Sequence, residues 1–300
     1  MGPAEHAHAQ RSCPAAREKS FVNGGITEIM FKDITLGQYY QTDSILHRLD
    51  PRVKLVGTLV YIISLFVVDT FVGYFLCAAF LIAMIALSNV PVGYIVRGMK
   101  GILILLLITM SFNLFLTPGE VLVRLFFLKI TKEGLIFAAK MGIRLSLLVI
   151  GSSLMTLTTT PNQLTDAIES LLNPAKRFHV PVHEIAMMMS IALRFIPILM
   201  EETDKIMKAQ IARGADFESK NLIKKMKSLV PLLVPLFISA FRRANDLAMA
   251  MEARCYHGGV GRTKMKPLIY KGRDRTAYIV LIAFFALCVI LRVVRLPFLI

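Results

Sequence analysis

Apolar residues in this chain fall into long runs rather than one-sided stripes. A membrane-spanning helix needs roughly 20 predominantly apolar residues, and five stretches approach that length: Val53 to Val68, Phe71 to Val90, Gly101 to Thr117, Leu135 to Thr156, and Ala277 to about Leu291. The polar break Asp69-Thr70 is so short that the first two runs predict an antiparallel hairpin. Pro118-Gly119 ends the third run, and Glu120 to Glu133 reads as a loop. The expected fold is therefore all-α, a polytopic membrane helix bundle of about five spanning helices.

Between the fourth and fifth runs the pattern changes to helical periodicity. Thr160-Pro161-Asn162 opens a helix, with proline at a position favoured near helix starts, and Leu164, Ile168, Leu171 and Leu172 share one face. Pro181 to Met200 is more apolar and reads either as a sixth span or as a helix lying in the interface. Glu201 to Arg213 is strongly polar. From Leu222, apolar residues recur every three or four positions through Leu229, Leu233, Phe237 and Leu247 to Met251, giving a long amphipathic helix. Pro231 and Pro235 predict a kink in it, because each removes a backbone hydrogen bond and crowds the preceding turn.

Composition supports a membrane location. The 300 residues are 55% hydrophobic, with 35 Lys and Arg against 20 Asp and Glu, and the mean hydropathy is +0.61. Such a basic balance in a soluble protein points to nucleic acid; here it follows from the tendency of cytoplasmic loops to collect Lys and Arg, so no nucleic-acid partner is expected. Residues 200 to 275 carry sixteen basic and eight acidic side chains and are expected to face the cytoplasm, as is the N-terminus, given Arg48, Arg52 and Lys54 before the first run. Arg124, Lys129 and Lys132 fall on the opposite side as exceptions. Cys13, Cys77, Cys255 and Cys288 show no metal-ligand spacing, so neither a disulfide framework nor a metal site is expected. Residues 1–29 lack the apolar core of a signal peptide and read as a disordered extension, with Met30-Phe31-Lys32 resembling a native start.

Two tripeptides stand out in the basic segment. Ala212-Arg213-Gly214 and Ala253-Arg254-Cys255 each close a helical stretch. An arginine at a helix C-terminus lies favourably at the negative end of the macrodipole, and its planar fork suits carboxylates. Duplicated endings fit a partner that is itself a dimer or pseudo-dimer. Eight of the 16 methionines lie between Pro181 and Tyr256, as suits a surface that slides or accepts several partners. Among charges within apolar runs, Lys140 is placed to snorkel, whereas Arg144 and Arg194 invite a buried acid, with Asp166 and Glu184 nearby in sequence.

Several chemistries lack their residues. No G-x-x-x-x-G-K-[ST] cradle occurs, so the chain does not hydrolyse ATP alone. His183-Glu184 starts like a zinc-protease helix, but Met187 stands where the second histidine belongs. No G-x-S-x-G elbow is present. No catalytic residue and no cofactor are expected.

Motifs in one order along the chain resemble a known family. Leu49-Asp50-Pro51-Arg52-Val53-Lys54, Thr159-Thr160-Pro161, Ala192-Leu193-Arg194-Phe195-Ile196-Pro197, Ala209 to Asp216, Pro235-Leu236-Phe237, Arg242-Arg243-Ala244 and Ala248 to Arg254 are similar to the transmembrane T component of energy-coupling factor (ECF) transporters, from about Gly37 to about Thr263. The resemblance implies spanning helices joined to amphipathic cytoplasmic coupling helices, in the cell membrane of a prokaryote. It implies two ABC-type ATPase subunits as partners, and a separate membrane protein, the S component, that binds a vitamin or metal ion. On that basis Ala212, Arg213, Gly214, Ala253, Arg254 and Cys255 form the ATPase-docking sites, and Asp50, Pro51, Arg52, Arg144 and Arg194 are structural or coupling candidates. Cys255 departs from the glycine frequent after the second arginine, so termination of that helix is expected to rely on Gly258-Gly259.

The implied layout is an extension over 1–29, spanning helices one to four over 30–158, coupling helices over 159–275 and a last span over 276–300. The chain is then a non-catalytic subunit. Two alternatives remain open: a polytopic enzyme acting on lipid, for which Glu201, Glu202 and Asp204 are the only close acidic group in the insert, and an ABC permease that binds solute directly.

Overall fold

The computed structural model describes residues 39–118, 120–125, 128–215, 217, 222–259, 265 and 267–293. The expected extension over 1–29 lies outside them. The order of elements is α1 (Pro51–Val67), α2 (Phe71–Ser88), α3 (Val92–Leu116), β1 (Val121–Leu125), β2 (Leu128–Thr131), α4 (Lys132–Thr158), α5 (Pro161–Leu171), a 3₁₀ turn (Asn173–Phe178), α6 (Val182–Ala212), α7 (Leu222–Ala253) and α8 (Gly272–Val293). The protein is an all-α polytopic membrane protein with one small addition. The stretch expected as a loop forms an antiparallel hairpin, Val121 opposite Thr131 and Leu125 opposite Leu128, with a bulge between Val121 and Val123.

Helix starts follow local chemistry. Asp50 caps α1 by accepting the Arg52 N–H at 2.9 Å, with Pro51 at the first helical position. Thr70 and Thr131 cap α2 and α4 by accepting the N–H of Gly73 and Gly134. Thr160 and Gln163 form a reciprocal capping box that opens α5 where the sequence predicts it.

Four helices are long and apolar enough to cross a membrane: Phe71–Ser88, Lys132–Thr158, Val182–Ala212 and Gly272–Val293. The set differs from the five expected runs. Helix α1 has 17 residues, and the apolar part of α3 is confined to Gly101–Phe115. Conversely, the stretch left open as a span or an interfacial helix meets both criteria as part of α6.

The chain divides into two compact units. One comprises residues 37–194 and 257–300; the other contains 195–256. In the first, α1 packs against α4, α5 and α8, while α3 lies along α4. Its core gathers Leu65, Val68, Tyr74, Cys77, Leu154 and Cys288. The rings of Phe80 and Phe284 stack at 4.1 Å, and Tyr61 stacks on both at 6.3 Å. Gly151 makes that stack possible, because a Cβ there would come within 2.6 Å of the Tyr61 ring. In the second unit, α7 runs as one helix through Pro231 and Pro235.

Candidate functional site: two arginine-tipped helix ends

The helix ending at Ala212 stops in a hydrogen-bonded turn. The Gly214 N–H donates to the Ile211 carbonyl at 2.9 Å and the Ala215 N–H to Gln210 at 3.0 Å, with Gly214 left-handed at φ +88°. This pair of bonds is a Schellman ending, which satisfies carbonyls the helix would otherwise leave open. The helix ending at Ala253 repeats it. Cys255 N–H donates to Glu252 at 2.8 Å and Tyr256 N–H to Met251 at 3.1 Å, with Cys255 left-handed at φ +55°.

Cys255 therefore terminates α7 itself, and the expected reliance on Gly258-Gly259 is corrected. Glycine is favoured at such a position because a Cβ crowds the following carbonyl in this conformation, at a cost of roughly 1–2 kcal/mol. Cysteine is small, but it is not exempt. Gly259 instead leaves room for a neighbouring side chain, since a Cβ there would lie 2.5 Å from the His183 ring, whose Nδ1 is 3.0 Å from Glu169 Oε1.

The two endings are superposable in type. In each, alanine is the last helical residue, arginine the half-turn residue and a small residue the left-handed one. All six, Ala212, Arg213, Gly214, Ala253, Arg254 and Cys255, are exposed. Neither guanidinium makes an ion pair among the described residues. The chain thus presents two exposed planar forks, each on a backbone turn at the end of a helix of 31 or 32 residues.

Asp50, Pro51 and Arg52 are arranged in the opposite manner, in the bundle. Asp50 Oδ1 accepts the Arg52 N–H and lies 3.4 Å from Arg52 Nε, while the Asp50 N–H donates to Asp274 Oδ1 at 2.9 Å. Arg52 also donates to the Leu268 carbonyl and lies over the Tyr270 ring at 4.4 Å. Lys54 Nζ donates to the carbonyls of Thr158 at 2.8 Å and His47 at 3.3 Å. Burial is the largest influence on His47 and lowers its pKa below the ordinary value. Its Nε2 faces the Tyr40 carbonyl at 3.0 Å and its Nδ1 the Ser44 hydroxyl at 2.6 Å, a setting that suits a neutral ring protonated on Nε2.

This knot joins the starts of α1 and α8 to the end of α4. Lys54 enters the sequence analysis only as a flanking charge and a motif member, and neither Thr158 nor Asp274 is among its candidate site residues. Asp274 did offer one signal: it is the acid in the first turn of the last helix, where the macrodipole favours negative charge.

Arg144 finds a partner other than the acids near it in sequence. It donates to Asp69 Oδ1 at 3.0 Å, the Val68 carbonyl at 3.2 Å and the Tyr74 hydroxyl at 3.0 Å. The Asp69-Thr70 break between the first two helices is thus held by α4. Arg194 is exposed and makes no ion pair among the described residues. Lys140 places its ammonium 5.4 Å from the centre of the Phe71 ring.

Comparison with known proteins identifies the relatives. Residues 42–266 match the family described as Cobalt transport protein (CbiQ). A protein of Clostridium kluyveri named energy-coupling factor transporter transmembrane protein EcfT is 60% identical over 247 residues, covering 82% of this chain and 92% of that protein. Proteins of the same name from Acidaminococcus fermentans and Bacillus subtilis are 51% identical over 263 residues and 44% over 264. Each match covers 88% of this chain, with 98% and 100% of the respective relative. Together with its all-helical, multi-pass character, these matches show that the chain belongs to the energy-coupling factor transporter transmembrane protein family of prokaryotes.

Proposed function

We propose that this chain is the coupling subunit of an ECF-type ABC transporter, passing the ATP-driven motion of two ATPase subunits to a substrate-binding S component. The observation that carries the reading is the pair of like Schellman endings, each presenting an exposed arginine without an ion-pair partner among the described residues. Two equal contacts suit two equal or similar ATPase subunits. Arg213 and Arg254 enter carboxylate-bearing grooves there, while Ala212, Gly214, Ala253 and Cys255 keep the approach clear.

The layout follows from this role. Residues 30–158 and 276–300 form the membrane part and residues 159–275 the coupling part, in which α6, although long and apolar enough to cross, lies in the interface, and the N-terminus lies in the cytoplasm. Closure of the ATPase pair moves the two tips relative to each other, and the apolar faces of α6 and α7 carry that displacement to the S component. Exposed Met226, Leu233, Phe237 and Phe241 on α7 supply such a face. The cargo, a vitamin or a metal ion, is selected by the S component. The chain itself is non-catalytic. Asp50, Pro51, Arg52 and Arg144 hold the bundle rigid against the moving part, and Arg194 is the exposed candidate among the coupling residues.

Removing one partner of a desolvated charge pair costs about 2–5 kcal/mol or more. The variant Arg213→Glu with Arg254→Glu is therefore expected to insert in the membrane yet fail to co-purify with the ATPases. Normal co-purification and uptake would refute the assignment. Lipid turnover by the purified chain alone would favour an enzyme instead, and direct solute binding without an S component would favour a permease.

A further inference from the structure

A cavity of about 320 Å³ lies within the helical bundle, between α1, α2, α4 and α8. Its size falls at the lower end of the ~300–1,000 Å³ typical of small-molecule sites. Its body is apolar, formed by residues such as Tyr61, Leu81, Met84, Leu154 and Leu281. Two features distinguish it from a packing defect. It is open along one side, since Ile45, Leu87 and Val280 line it while being 59%, 46% and 54% exposed. Its other distinction is charge: Lys54 and Arg273 line the cavity, and no Asp or Glu does.

Those two cations sit in the first turns of α1 and α8, at one end of the cavity. Lys54 is buried and bonded to the carbonyls of Thr158 and His47, but it makes no carboxylate ion pair among the described residues. Arg273 is exposed, and its guanidinium makes no ion pair among the described residues. Its place in the first turn is unfavourable for the helix, because the positive end of the macrodipole repels a cation. The nearby acid of that turn, Asp274, is turned to the N–H groups of Asp50 and Lys271. An apolar slot that opens sideways and ends in two cations is complementary to one kind of molecule abundant in a bilayer.

We propose that this cavity holds one acyl chain of an anionic phospholipid, with the lipid phosphate on Arg273 and in the field of Lys54. The chain enters sideways past Leu87 and Val280, burying apolar surface in place of lipid-exposed surface, so most of the selectivity comes from the headgroup. Basic pockets between spanning helices recognise acidic headgroups in this way. Bound there, the lipid bridges α1 and α8 across the knot of Asp50, Arg52 and Asp274 and braces the bundle end.

The test uses the full-length chain in its transporter complex, purified from nanodiscs of either phosphatidylglycerol or phosphatidylcholine and examined by native mass spectrometry. One retained phosphatidylglycerol per copy is expected, with roughly tenfold lower occupancy by phosphatidylcholine. Arg273→Glu should lower phosphatidylglycerol occupancy about tenfold, and Arg273→Lys should restore most of it. Ala277→Trp, which fills the cavity, should remove both lipids; if that variant does not fold, exposed Arg273 carries the test alone. A phosphatidylglycerol bearing a diazirine on its acyl tail should label peptides of α1 and α8 in the wild type. Equal retention of the two lipids, unchanged occupancy in Arg273→Glu, or labelling elsewhere would overturn the proposal. So would a rise in lipid count on deleting residues 1–29, which would make that segment the occupant. Loss of labelling when inorganic phosphate alone is present before photolysis would assign the cations to a free anion and also overturn it.

Discussion

Arginine serves two regions of this protein in opposite ways. At the bundle end, Arg52 is enclosed by Asp50, the Leu268 carbonyl and the Tyr270 ring, and at the Asp69-Thr70 break Arg144 is bonded to an acid, a carbonyl and a hydroxyl. At the ends of α6 and α7, Arg213 and Arg254 are exposed and unpaired among the described residues. A guanidinium enclosed by groups of its own chain ties helices together; one left exposed does not. Burial follows the same division. The bundle has a continuous core, whereas within 195–256 only Met207 and Leu232 are buried apolar side chains among the described residues. One region encloses its apolar side chains, and the other leaves most of them exposed.

The largest effect that would sharpen this contrast lies at Asp274. Its carboxylate is 3% exposed and accepts the N–H groups of Asp50 and Lys271 at 2.9 and 2.7 Å. Asp274→Ala leaves both donors without that acceptor, at about 1–3 kcal/mol for each buried group left unsatisfied. The expected outcome is a markedly lower melting temperature of the detergent-solubilised protein. Arg213→Ala, by comparison, should stay within about 0.5 kcal/mol of the wild type in stability. Equal losses at the two positions would break the distinction between closed and open regions.

Next in size is Gly151→Leu. Its first added carbon would lie 2.6 Å from the Tyr61 ring, which is stacked with Phe80 and Phe284, so the ring or α4 must shift. Overpacking of this kind costs about 1–3 kcal/mol. A Cβ at Gly214 would meet nothing within 4 Å, so that position is constrained only by its φ of +88°. Gly214→Ala should therefore cost about 1 kcal/mol through backbone conformation alone. Thermal melting of both variants separates a glycine needed for space from one needed for handedness.

Cys255 turns that logic into a gain. Its left-handed conformation carries the cost that glycine avoids, so Cys255→Gly should stabilise the last turn of α7 by about 1 kcal/mol. Slower hydrogen exchange in the variant at position 255 and Tyr256, whose N–H groups close the turn, is the readout. Faster exchange would show that the thiol side chain supports the ending in some other way.

What the sequence disclosed, and what it hid, has a physical pattern. The helix start at Thr160-Pro161 was legible because capping is local chemistry between residues two or three positions apart, whereas the same chemistry at Asp50-Pro51 was passed over in favour of the apolar run that begins at Val53. The arginine endings were legible for the same reason. The partner of Arg144 was not: Asp69 lies 75 positions away, and only packing of α4 against the first hairpin brings it close. Asp274 is 224 positions from Asp50 and was missed on the same ground. Termination at Cys255 was misplaced because glycine is the usual residue there and two glycines follow nearby. The β-hairpin was read as a loop because Phe126-Phe127 between its strands carries none of the Asn-Gly or Asp-Gly signal of a tight turn.

The smallest expected effect concerns the one contact that could blur the comparison, the ion pair between Arg243 Nη2 and Glu202 Oε2 at 2.7 Å. It joins α6 and α7, so it could be a strut of the enclosed kind. Its side chains are 38% and 27% exposed, against 12% and 4% for Arg52 and Asp50. Partial solvation screens the attraction, and ordering two long side chains opposes it, which leaves such pairs at about 0–1 kcal/mol. A double-mutant cycle with Arg243→Gln and Glu202→Gln should give a coupling of about 0.5 kcal/mol, lower still at high salt. A coupling several times larger and insensitive to salt would mean that α6 and α7 are braced in the same way as the bundle, and would count against the proposed relative motion of their tips.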